Sequence, residues 1–105
     1  MNSSTMLERL QEFLNKNPKD SFVRYGFAME LSKLGRTEES INNFQQLIHD
    51  DPDYVAAYQQ AGMVLMNHGR LEEAKETFRK GIDAAARKGD AHALSELQGV
   101  LAQIS

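Results

Sequence analysis

The stretch LGRTEESINNF, residues 34–44, has a counterpart in HGRLEEAKETF, residues 68–78. Both contain Gly-Arg-x-Glu-Glu, and both reach a Phe at the same distance. Displacing the chain against itself by 34 residues extends the match in both directions. Pro18 falls on Pro52, Gly35 on Gly69, Arg36 on Arg70, and Phe44 on Phe78. Glu38 and Glu39 fall on Glu72 and Glu73, and Ile48 on Ile82. Small residues coincide as well, Ala28 with Gly62 and Ser40 with Ala74. Gly and Pro in register at a single offset mark one supersecondary unit used twice, the signature of a repeat architecture.

The segments between these marks carry a helical period. Phe22, Val23, Phe27, Leu31 and Leu34 are spaced by threes and fours, as are Val55, Tyr58, Ala61 and Leu65. Gly35 and Gly69 follow these runs where a left-handed C-cap is needed. Glu38-Glu39 and Glu72-Glu73 then place carboxylates in the first turn of a second helix, where the dipole favours them. Asn17-Pro18 and Asp51-Pro52 end helices, because a residue before Pro avoids the α region. Each unit is therefore helix A, a turn at Gly, helix B and a stop at Pro.

This hairpin resembles the tetratricopeptide repeat. In the second copy Tyr58, Ala61, Gly62, Leu65, Gly69, Ala74 and Phe78 occupy that family's signature positions. In the first, Phe27, Ala28, Leu31, Gly35, Phe44 and Pro52 fit. Arg24 stands where a bulky aromatic is expected, with Phe22 and Tyr25 beside it to compensate, and Ser40 stands in place of a small Ala. The resemblance implies an all-α, tetratricopeptide-type helical-hairpin solenoid, a right-handed superhelical stack of about six helices. One domain spans residues 1–105, with repeats at 21–54 and 55–88.

Half-repeats are expected at both ends. Residues 4–17 hold Met6, Leu7, Leu10, Phe13 and Leu14 on one face and align with helix B, with Ser3, Ser4 or Thr5 as caps. At the other end Ala86 stands where Pro is expected, so helix B runs on to Lys88 and stops at Gly89. Asp90 then caps a last helix over 90–104, with Ala93, Leu94, Leu97, Leu101 and Ile104 as its apolar stripe. That helix is expected to pack on helix B of the second repeat.

Composition removes several functions. There is no Cys, hence no disulfide and no thiolate-held metal. The net charge is −3 with both signs interspersed, and no basic cluster offers phosphates a positive field, which argues against nucleic acid. The first residues have no basic start with an apolar run, and no window approaches the roughly 20 apolar residues that span a bilayer. A cytoplasmic location is the expectation. His49 and His68 read as residues of helix ends and His92 as a first-turn residue, none with a second ligand placed by spacing. Adjacent Glu residues point in different directions on a helix, so neither Glu pair forms a shared acid–base site. No enzyme, metal or cofactor is expected.

The resemblance implies instead a scaffold whose A helices line a concave face for a partner protein or peptide. The helix-A positions left free for that face are Phe22, Tyr25, Met29, Ser32 and Lys33 in the first repeat. In the second they are Ala56, Gln59, Gln60, Met63, Met66 and Asn67. Family members that clamp the C-terminal carboxylate of chaperones use Lys, Asn and Arg there. Here Tyr25, Met29, Gln59 and Met63 stand in those places, and only Lys33 offers a positive charge, which argues against a carboxylate clamp. The face is apolar and rich in Met, suited to an amphipathic helix or extended apolar segment. Three occupants are open: a partner protein, a second copy in a homodimer, or the last helix folded back.

Overall fold

A computed structural model describes residues 3–105, with side chains from Thr5 onward. Among these residues there are six α-helices and no strand. They are α1 (Ser3–Lys16), α2 (Ser21–Lys33), α3 (Thr37–Asp50), α4 (Val55–Asn67), α5 (Leu71–Lys88) and α6 (Ala91–Ile104). Thr5 lies within the first turn of α1, and capping by the Ser3 or Ser4 side chain lies outside the described residues. None of the helices is long and apolar enough to cross a membrane.

Turn chemistry sets the hairpins. Gly35 and Gly69 adopt φ of 77° and 75°, a region that costs an L side chain dearly. The Arg36 N–H donates to the Leu31 carbonyl at 2.9 Å and the Gly35 N–H to Ser32 at 3.0 Å. Arg70 and Gly69 repeat this on Leu65 and Met66 at 2.9 and 3.1 Å. These paired bonds are Schellman caps, which satisfy the last carbonyls of α2 and α4. α5 runs past Ala86 to Lys88, since no Pro interrupts it, and closes the same way at Gly89.

The Gly-Arg-x-Glu-Glu motif completes each turn. Arg36 forks onto Glu39 at 2.8 and 2.6 Å, and Arg70 onto Glu73 at 2.9 and 2.8 Å. The N-terminus of each B helix thus gains a carboxylate that its own preceding Arg holds in place. Asp20 and Asp90 instead cap α2 and α6 directly, accepting from the Val23 and Ala93 N–H at 3.1 and 3.0 Å.

Close crossing explains the small residues. A Cβ on Gly62 would stand 2.3 Å from Phe78 Cε1, and one on Gly81 would stand 2.7 Å from Tyr58 Cβ. Phe44 and Phe78 are fully buried at the two hairpins, with Ile41, Leu47, Ala57, Leu65 and Leu97 around them. Ser40 is buried too, and its Oγ donates to the Ala28 carbonyl at 2.7 Å, so the hydroxyl finds an acceptor within the crossing.

Arg24 is handled differently from the sequence expectation. Its Nη2 pairs with Asp50 Oδ2 at 3.0 Å, and Tyr25 packs its ring on Phe44 and Tyr54, with centroids 6.1 and 5.7 Å away. Phe22 fills nothing here: it is 75% exposed. A buried aromatic is thus replaced by an ion pair to the end of α3.

Each helix packs on its neighbours in chain order. In addition α4 touches both α2 and α6, whereas among the described residues α1, α3 and α5 make no contacts with one another. The row α2, α4, α6 therefore lies on the inside of the curve, and α1, α3, α5 on the outside. Polar struts tie successive hairpins together. Arg70 Nη1 reaches Glu38 at 2.7 Å, and His68 Nε2 meets Thr37 Oγ1 at 3.0 Å while Nδ1 donates to the Val64 carbonyl at 2.9 Å.

Candidate functional site: the cleft between α4 and α6

A cleft of about 390 Å³ opens on the inner row between α4 and α6. α4 contributes Gln59, Gln60 and Met63, and α6 contributes Glu96, Leu97 and Val100, with Phe78 of α5 at the floor. Helical spacing accounts for the first set. Gln59, Gln60 and Met63, three and four residues apart, share one face of α4 beside the buried Ala57, Ala61 and Val64.

Chemically the cleft joins an apolar floor to polar walls. Phe78 and Leu97 are 1% exposed, whereas Met63 is 37% exposed and stands at the mouth. Gln59 Nε2 reaches Glu96 Oε1 at 3.4 Å across the gap. His92 Nε2 approaches the same oxygen at 3.3 Å from one turn away on α6. Gln60 is tied to the Tyr25 hydroxyl, whose acidity is weakened first by burial and partly restored by that hydrogen bond. Among the described residues no group of three His, Asp or Glu is arranged to hold a metal ion.

Of the eleven residues read as partner-contacting, three line this cleft: Gln59, Gln60 and Met63. Tyr25, Met29 and Met66 are half-buried and pack against the core, so their apolar surface is largely spent. Ser32 is half-buried, and Lys33 and Asn67 are exposed. Lys33 Nζ lies 4.0 Å from Glu30. Phe22 stands out to solvent and away from the cleft lining.

Glu96 and Val100 were invisible to the repeat offset. α5 extends to Lys88, so α6 matches α4 at 36 residues rather than 34. At that shift Ala93 falls on Ala57, Leu97 on Ala61, Val100 on Val64 and Glu96 on Gln60. Ala93 and Leu97 are buried like their counterparts. α6 therefore takes the place of a third A helix. It packs on α5, as the sequence led one to expect, and instead of filling the groove it builds the groove's second wall.

A family model described as "Tetratricopeptide repeat" matches residues 31–104, most of the chain. The chain belongs to the tetratricopeptide repeat family. This tetratricopeptide repeat protein is 27% identical over 92 residues to a TPR repeat-containing protein of Pseudomonas aeruginosa, covering 88% of each. It is 33% identical to a tetratricopeptide repeat domain protein from Salinibacter ruber whose solution structure superposes with a TM-score of 0.80, covering 84% of this chain and 89% of that one. The TPR2B domain of yeast Sti1, solved as a complex with pHsp70, shares the fold at a TM-score of 0.82 and 21% identity, covering 96% of this chain and 83% of that one.

Proposed function

We propose that this tetratricopeptide repeat domain is a binding module for another protein, not an enzyme. Its inner face takes an apolar peptide or the apolar stripe of an amphipathic helix, seated in the α4–α6 cleft. It acts in the cytoplasm, without cofactor, nucleic acid or membrane. The observation that carries this reading is Met63, an apolar side chain 37% exposed at the mouth of a cleft with an apolar floor and amide-bearing walls. Met adapts its shape to varied apolar groups, and the Gln59 and Gln60 amides suit a peptide backbone. The family fold is a scaffold for protein–protein contact, and the yeast Sti1 domain of the same fold was solved with a bound partner.

The cleft is short, so affinity for a free peptide is on the order of micromolar. Selection from a random-peptide phage library on the immobilised chain tests the reading. Enriched peptides are to bind the wild type and lose binding to Met63→Glu, whose helicity stays unchanged. Enriched peptides that bind both proteins equally would move the site elsewhere.

A further inference from the structure

The charge of the α4–α6 cleft bears on which polar groups an occupant carries. Glu96 is the one ionisable residue among those lining it. Its two contacts, from Gln59 Nε2 at 3.4 Å and His92 Nε2 at 3.3 Å, are both long and both fall on Oε1. Oε2 accepts no hydrogen bond among the described residues. The carboxylate therefore keeps acceptor capacity at the edge of an apolar floor, and the cleft lining holds no Lys or Arg to neutralise it.

Resting on the reading above, we infer that the α4–α6 cleft selects a polypeptide segment carrying a Lys or Arg beside an apolar residue. The apolar side chain sits over Phe78 and Leu97 between Met63 and Val100, and the cation meets Glu96. A cleft of about 390 Å³ holds side chains rather than a whole helix, so the recognised feature is a short motif. Both side chains must leave the segment on one face. That places them two residues apart in an extended strand, or three to four apart in a helix. An acidic segment, or a free C-terminal carboxylate placed at this wall, meets the like charge of Glu96 and is rejected.

The test is selection from one random-peptide phage library on wild type, Glu96→Lys and Met63→Glu, each checked for unchanged helicity. Peptides enriched on the wild type are expected to pair an apolar residue with Lys or Arg at those spacings. They should bind Glu96→Lys at least about tenfold more weakly, and Glu96→Lys should enrich acidic peptides in their place. Peptides lost on Met63→Glu but indifferent to Glu96→Lys would overturn the charge preference and leave the groove reading standing. Enrichment on none of the three proteins would overturn the groove reading itself.

Discussion

Arg70 holds Glu38 of the preceding hairpin and Glu73 of its own helix at once, through Nη1 at 2.7 Å and Nη2 at 2.8 Å. One guanidinium thereby links the N-terminus of α5 to the first turn of α3 in the preceding hairpin. The recurrence of Gly-Arg-x-Glu-Glu follows from this double duty. The first Glu of one motif reaches forward to the next Arg, and the second Glu is held by its own.

This contact gives stability a defined acid dependence. Hydrogen bonds from Arg70 hold the Glu73 carboxyl below its ordinary value of 4.5, as those from Arg36 hold Glu39. A carboxylate with a depressed folded pKa contributes stability that is present above the unfolded value and lost as pH falls through the folded one. Arg70→Ala is therefore less stable than wild type at neutral pH, and the gap closes as the pH falls below 4.5. The groups are exposed, so the gap is small and shrinks in salt. Urea denaturation of both proteins across the acid range measures it, and a gap independent of pH would contradict the pairing.

Gly62→Ala should destabilise, against the usual trend. Gly to Ala inside a helix ordinarily gains about 1 kcal/mol. Here the new Cβ would meet Phe78 at 2.3 Å, and forcing the ring aside costs about 1–3 kcal/mol. The clash wins only if α4 and α5 cross as closely as described. A stabilised variant in chemical denaturation would mean that the hairpin is looser.

Phe44→Ala removes a fully buried ring of α3, which Tyr25 of α2 meets edge-on. The loss should be about 3–5 kcal/mol, a large share of the stability of a domain this size. Phe22→Ala, by contrast, should change stability little, because Phe22 is 75% exposed. Equal effects of the two on the urea midpoint would contradict the placement of these rings.

Met63→Glu should keep the fold and lose the partner. Its wild-type side chain is 37% exposed, so a carboxylate there remains solvated. Circular dichroism should match wild type. Light-scattering mass over a wide concentration range shows whether the same change also splits a homodimer. A large loss of helicity would place Met63 in the core.

Much of this architecture was legible because the repeat carries it redundantly. Gly35, Gly69, Pro18 and Pro52 punctuate, while Phe44 and Phe78 fill. What escaped the sequence is where the repeat breaks its own rule. The missing Pro at Ala86 lengthens α5 and shifts α6 by two residues, which hid Glu96 and Val100 from a fixed offset. Tyr25, Met29 and Met66 stand at A-helix positions that periodicity assigns to the inner face, and periodicity alone does not tell a ring packed on Phe44 from one offered to a partner. Arg24 looked like a gap to be filled by neighbouring rings, because its partner Asp50 lies on another helix.

The most direct test of peptide binding in the α4–α6 cleft is amide chemical-shift mapping of the labelled protein titrated with a library-selected peptide. The largest shifts are expected to cluster at Gln59, Gln60, Met63, Glu96 and Val100. Shifts centred instead on the outer row, at Gln45, His49, Thr77 and Lys80, would contradict it.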